Sequence, residues 1–295
     1  MAFTLVIHSK GLFNKVKSID FATLLNNCKL SYGSYNEFYT LDEGKTKNGT
    51  AILYNPNRIG RGIFFDARNI SKGEITVSYN TPTTTAEIKD FVKVAKEVER
   101  QFQKASFHFE EENKEFSSSE LEKMIPQMSE FSLTQLNEGS LNNDNMQYIL
   151  TLAKFPWYVD DEKKEKFKTA KTLDDFEYTI HELQKKDVYY AKPSLFKDRN
   201  SGKILAFYTL TSNCESYFPI NAESFLNFDA PKVDEAFIRF FIYEEEKVVE
   251  GHYPYDKFVE FIKEKGATKF DAERLKVPEL SKEEIMEFVM RERNS

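Results

Sequence analysis

An α+β fold, with largely antiparallel sheets covered by helices, is what this chain of 295 residues predicts. Two observations carry that expectation. Short runs alternate apolar and polar residues between turn signals, and a few longer segments repeat their apolar residues at helical spacing. Apolar surface for a core is ample, at 40% hydrophobic and 15% aromatic residues with 27 Phe and 15 Tyr. A chain of this length predicts about two domains.

The run Phe3-Thr4-Leu5-Val6-Ile7 reads as a first strand, because no basic segment precedes it and it is too short for a leader. Residues 18–27 then read as a short helix capped by Ser18, with Ile19, Phe21, Leu24 and Leu25 apolar. Strands follow at Phe38 to Leu41, Ala51 to Tyr54, Gly62 to Asp66 and Glu74 to Tyr79. The turns between them are signalled by Asn48-Gly49, Asn55-Pro56-Asn57 and Lys72-Gly73. Thr84 and Glu87 have capping-box spacing, and Ile88, Phe91, Val92, Ala95, Val98 and Phe102 recur as one helical face. Lys89, Asp90, Lys93, Lys96, Glu97 and Arg100 are expected on the solvated side of that helix.

Residues 107–171 read as a mostly helical connector. They hold the acidic run Glu110-Glu111-Glu112, a helix opened by Ser117 with Glu120 and a polar loop from Asn137 to Asn145. An apolar run at Pro156-Trp157 and a solvated helix from Asp160 to Lys168 complete them. A helix from Thr172 to Lys186 opens the last part. A hairpin pairs Val188 to Phe196 with Lys203 to Leu210, and Ala236 to Tyr243 pairs with Lys247 to Tyr253. Pro254 opens a helix that ends at Gly266, and Ser281 with Glu284 caps the final one. The expected organisation is an N-terminal unit over 1–106, the connector over 107–171 and a C-terminal unit over 172–295.

Motif order raises an internal duplication. Phe38-Tyr39-Thr40-Leu41 recurs as Phe207-Tyr208-Thr209-Leu210, Phe64-Phe65 answers to Phe240-Phe241, and the helix residues Phe91 to Glu97 answer to Phe258 to Glu264. Each half would be a helix, about four strands and a helix. Against this stands the unequal inner spacing, and any aromatic-rich α+β chain repeats strands before helices.

The formal net charge of −7 and a pI near 5.4 repel phosphate backbones and anionic headgroups. Nucleic acid and membranes are therefore not expected partners, and no run approaches the ~20 apolar residues of a membrane span. A basic protein is the partner this field would steer. Cys28 and Cys214 make neither a disulfide framework nor a metal cluster, which points to a reducing, cytoplasmic location. The four histidines His8, His108, His181 and His252 lack metal-ligand spacing. His108 with Glu110 to Glu112 reads either as an acid/base or cation site or as solvated surface, and His181-Glu182 reads as a helix rim. No phosphate-binding, dinucleotide, nucleophile-elbow or zinc pattern occurs, so no cofactor and no metal are expected.

The stretch Tyr54 to Gly62 sets two arginines beside two glycines in an acidic chain. Asn55, Arg58, Arg61 and Asp66 are thus the candidate anion- or ligand-binding residues, since guanidinium forks and exposed N–H groups suit a carboxylate or phosphate. The competing reading is a turn needing positive φ at Gly60 or Gly62, with the arginines paired to nearby acids. Three functions stay open. One is a non-catalytic cytosolic binding or protein-interaction protein; another is a hydrolase or transferase using Arg58 and Arg61 as clamps for a small anionic substrate; the third is a structural or regulatory subunit, which requires a contiguous exposed apolar patch. On Tyr54 to Asp66 (YNPNRIGRGIFFD), His181 to Pro193 (HELQKKDVYYAKP) and Phe207 to Phe218, the chain resembles an uncharacterised bacterial family, a domain of unknown function of about this length. That resemblance implies a bacterial cytosolic protein and supplies no activity, cofactor or catalytic residue.

Overall fold

The computed structural model describes residues 2–10, 18–110, 115–138, 149–222 and 232–294. The chain divides into two units, Met1–Lys186 and Asp187–Ser295. The first contains β1 (Ala2–Ser9), α1 (Phe21–Cys28), β2 (Ser31–Tyr35), β3 (Leu41–Glu43), β4 (Thr50–Tyr54), β5 (Ile63–Asp66), β6 (Glu74–Asn80), α2 (Thr85–Phe102) and β7 (Ala105–Phe109). It continues with α3 (Ser118–Lys123), α4 (Ile125–Glu138), β8 (Ile149–Thr151), β9 (Pro156–Tyr158), α5 (Asp161–Lys168) and α6 (Asp174–Gln184). Seven strands form one sheet in the order β3-β2-β4-β5-β6-β1-β7, antiparallel at each pair.

Period-two alternation turns Ile75, Val77 and Tyr79 of β6 and Leu5 and Ile7 of β1 to one face, where α2 covers them. Ile88, Phe91, Ala95 and Val98 of α2 are buried there, each such side chain contributing about 1.5–3 kcal/mol for the larger ones. Thr84 caps α2 by accepting from Glu87 N, as the spacing predicts. Its far side is less wet than expected. Asp90 and Glu97 are buried, because Asn55 and Lys93 hold the first while Arg100 and Gln101 hold the second.

Two local expectations change. The N-terminal helix begins later, capped by Asp20 and not Ser18, whose carboxylate accepts from Thr23 N and Thr23 Oγ1. Phe38 to Thr40 is not a strand, and of the expected run only Leu41 lies in β3. Asn36 Oδ1 accepts from Phe38 N and Thr40 N while Tyr39 turns to a φ of 55°, so the Asn side chain converts an apolar run into a tight turn. The loop expected at Asn137 to Asn145 lies outside the described residues from 139 onward.

The second unit contains β10 (Tyr189–Tyr190), β11 (Ser194–Lys197), β12 (Ile204–Thr211), β13 (Ser216–Pro219), β14 (Glu235–Ile242), β15 (Lys247–Val248) and β16 (Tyr253–Pro254). After these come α7 (Tyr255–Glu264), β17 (Thr268–Lys269), β18 (Arg274–Val277) and α8 (Lys282–Arg293). One sheet runs β10-β13-β18-β17; the other runs β11-β12-β14-β15, with β16 also paired to β14. The predicted pairing of β14 with β15 and β16 forms, but the run expected from Val188 to Phe196 is split: only Ser194–Lys197 pairs with β12, while Tyr189–Tyr190 joins the other sheet in parallel with β13. Tyr208, Leu210, Ile238 and Phe240 from the larger sheet, Phe218 and Val277 from the smaller, and Phe258, Phe261 and Phe288 from α7 and α8 share one core.

The duplication is not supported by this topology. β12 and β14 are parallel, as are β10 and β13, whereas the first unit's sheet is antiparallel throughout. The motif that suggested it is a turn at 38–40 with the first residue of β3 on one side and a central strand at 207–210 on the other. The helix at 174–184 also groups with the first unit. The class itself is α+β with large antiparallel sheets, and no helix among the described residues is long and apolar enough to cross a membrane.

Candidate functional site

The loop after β4 carries three of the four residues singled out for anion binding. Asn55 Oδ1 accepts from Asn57 N, and its Nδ2 donates to Asp90 Oδ2 at 3.1 Å. Arg58 pairs with Glu177 of α6 at 3.0 Å. Ile59 N donates to His181 Nδ1, and Gln184 Nε2 donates to Gly60 O, so α6 grips the loop along its length. Arg61 is buried, donating through Nε to Thr151 O and through Nη1 to Pro82 O, each at 3.0 Å. Asp66, on β5, is bound instead by Arg68, whose hydrogen bonds hold its carboxyl below the ordinary range.

At the centre of this loop sits Glu87, a buried carboxylate on the first turn of α2. It accepts from Arg61 N at 3.1 Å, from Gly62 N at 2.5 Å and from the Thr83 hydroxyl. Burial pushes this carboxyl above the usual range, and the hydrogen bonds from Thr83, Gly62 and Arg61 oppose that rise. Gly60 is glycine for a steric reason: a Cβ there would lie 2.6 Å from Glu87 Oε1. Gly62 has a φ of 90°, the left-handed conformation expected of one glycine in this turn. The structure therefore gives the four residues internal partners and does not gather them around one opening. Sequence reasoning weighed nearby acids as partners for the arginines but did not name Glu87 or Glu177.

His108 stacks on His8, with ring centroids 5.1 Å apart and planes within 5°. Glu111 and Glu112, read beside His108 as an acid/base or cation site, lie outside the described residues. Among the described residues no group of three His, Cys, Asp or Glu side chains could hold a metal ion.

An opening of the first unit lies at one end of its sheet, between the start of β1, the end of β7 and α4. It is a cleft of about 570 Å³. Phe3 forms its floor, packed against Tyr79, Phe109 and Phe131 with centroids 5.4, 5.9 and 5.4 Å away. Met124, Met128 and Phe131 line one wall at helical spacing, and Gln127, Glu130 and Thr134 form the adjacent stripe. Glu110 closes the strand side, where its N–H extends the ladder by donating to Thr4 O. Glu110 and Glu130 are exposed, and neither has an ion-pair partner among the described residues. Sequence analysis missed this cleft, although Met124, Met128 and Phe131 recur at helical spacing across α4 and the residue before it. Which strand ends that stripe would meet is a tertiary matter.

No curated protein and no solved structure matches the chain. Over residues 2–288 it matches the family described as a domain of unknown function (DUF4299), and the chain belongs to that family.

Proposed function

We propose that the chain is a non-catalytic binding protein whose first unit takes a basic, apolar segment of a partner protein into the cleft above Phe3. The observation that carries this reading is the pair of carboxylates, Glu110 and Glu130, bordering a phenylalanine and methionine wall without ion-pair partners among the described residues. A Lys or Arg of a partner would meet uncompensated acceptors there, while its apolar neighbours bury against Phe131 and the adaptable methionines. The net charge of −7 would steer such a partner from a distance. The two free thiols, Cys28 and Cys214, support a reducing cytoplasm as the setting. A hydrolase or transferase clamping a small anion is the weaker reading, because Arg58 and Arg61 already serve Glu177 and backbone carbonyls.

The test is calorimetric titration of the full chain with a short amphipathic Leu/Lys peptide and with its Leu/Glu counterpart. Only the Leu/Lys peptide is expected to bind, and the Glu110→Lys/Glu130→Lys double variant should weaken it by at least about tenfold. Equal affinity for the two peptides would sink the reading.

A further inference from the structure

The second unit carries a different surface. In β12 the residues Ala206, Tyr208 and Leu210 point into the core, as do Ile238, Phe240 and Ile242 in β14. Alternation turns Leu205, Phe207 and Thr209, and Phe237, Arg239 and Phe241, to the opposite face. Register sets Phe196 of β11 beside Leu205 and Val248 of β15 beside Phe241. Phe196 and Val248 are 50% and 59% exposed. The Phe207 ring contacts those of Phe196 and Phe237, and His252 stands edge-on to Phe207 and Phe237.

In the middle of this face lies Arg239, its guanidinium 4.1 Å from the Phe207 ring centroid. No carboxylate pairs with it among the described residues. Glu235, the carboxylate on its own strand, is taken by Lys203 at 2.5 Å. Arg274, in the same unit, shows the other pattern: it too lies over aromatic rings, Tyr190 and Phe270, and Asp271 binds it in the buried core. A half-buried guanidinium over a ring face is less hydrated on that side and retains N–H donors for a planar acceptor. Such a group is a matched receptor for a carboxylate delivered with apolar neighbours.

We infer that the outer face of the β11-β12-β14-β15 sheet docks a segment of a partner protein in which an acidic residue is flanked by apolar side chains, with Arg239 receiving the carboxylate. This face lies in the other unit from the cleft, and its proposed ligand has the opposite charge, so the inference does not depend on the cleft's occupant. Phe237, half-buried, supplies the apolar bed beside Phe207, which is buried beneath the Arg239 guanidinium. The exposed Phe196 and Val248 extend it to the strands on either side.

The experiment uses the full chain at physiological ionic strength, where charges beyond about 8 Å are screened. A fluorescein-labelled peptide alternating Phe and Asp is titrated by anisotropy beside a Phe/Lys counterpart and a short single-stranded oligonucleotide. The Phe/Asp peptide is expected to bind and to lose at least about tenfold in affinity in Arg239→Gln, with Arg239→Lys intermediate. Phe196→Ser, at an exposed position that should not affect folding, should weaken the same peptide and leave the Leu/Lys peptide of the cleft unchanged. Unaltered binding in Arg239→Gln, preference for Phe/Lys, or equal binding of the oligonucleotide would overturn the inference. So would concentration-dependent dimerisation of the chain abolished by Arg239→Gln, which would assign the face to a second copy.

Discussion

Where the first unit's sheet turns away from α2, β1 and β6 present Val6, His8, Thr76 and Ser78, a mixed surface suited to water. Where the second unit's larger sheet turns away from its core, β11, β12 and β14 present Phe196, Phe207, Phe237 and Phe241 around one guanidinium. The same period-two rule writes both faces, so the contrast is one of residue choice and not of architecture. The antiparallel sheet of the first unit needs only one apolar face to fold, while the second unit's larger sheet is mixed, with β12 and β14 parallel at its centre. The first unit also turns Tyr54 and Phe64 away from α2, but Tyr54 is buried there against Ile59 and Ala153, whereas Phe196 on the outer face of the second unit's sheet is 50% exposed.

The contrast can be broken most severely by comparing inner and outer rings of one sheet. Phe240→Ala empties a fully buried site among Tyr253, Phe258 and Phe288 and should cost about 3–5 kcal/mol in urea denaturation. Phe196→Ser should stay within about 0.5 kcal/mol. Comparable losses would mean that the outer face is packed as a core and awaits no partner.

A similar contrast divides the two arginines of the first unit's loop. Arg61→Ala strands the carbonyls of Thr151 and Pro82, an expected loss of about 1–3 kcal/mol for each, while Glu87 keeps the backbone N–H of residue 61. Arg58→Ala removes a solvent-facing pair with Glu177 and should cost less than about 1 kcal/mol. If Arg58 proves as costly as Arg61, its place is structural to the same degree.

Opposite pH dependences are expected from two carboxylates of α2. Glu97 is held down at about 2, chiefly by hydrogen bonds from Arg100. Its contribution is present above the ordinary carboxylate range and is lost as pH falls toward about 2, so Glu97→Gln should flatten the acid limb of a stability–pH curve. Glu87 is raised by burial, so its contribution is complete below the ordinary carboxylate range and declines as pH rises through its folded value. Glu87→Gln should remove that decline, as read by thermal melts between mildly acidic and neutral pH. The smallest effect concerns Tyr79, whose buried hydroxyl has no hydrogen-bond partner among the described residues. Tyr79→Phe should leave stability unchanged or raise it by up to about 1 kcal/mol.

Local signals in the chain were legible where the chemistry is local. Thr84, Ser117 and Ser281 cap the helices that their spacing predicts, the last two with complete capping boxes. The strands at 50–54, 63–66 and 74–80 follow from alternation between turns. The run at 38–41 misled because Asn36, outside the window that periodicity inspects, supplies two backbone hydrogen bonds that a strand would have found across a ladder. Asp90 and Glu97 misled for the converse reason, since a helical wheel places a charge in water until a distant Asn55 or a neighbouring Arg100 satisfies it. Of the candidate site, the residues were visible as types but not their partners. The glycines and arginines of 58–62 look the same whether they face an anion in solvent or a glutamate twenty-six positions away.

Composition, capping and alternation in the chain were thus enough to establish an α+β protein with antiparallel sheets, because each of these acts over a few residues. Tertiary structure alone decided that β12 and β14 run parallel, and that Glu87 closes the loop from Asn55 to Gly62. It also decided that Glu110, Glu130 and Arg239 have no ion-pair partner among the described residues while Arg58 and Arg274 do. The physical reason is that an ion pair or a crossover connection is a property of two segments at once, and neither segment carries the address of the other.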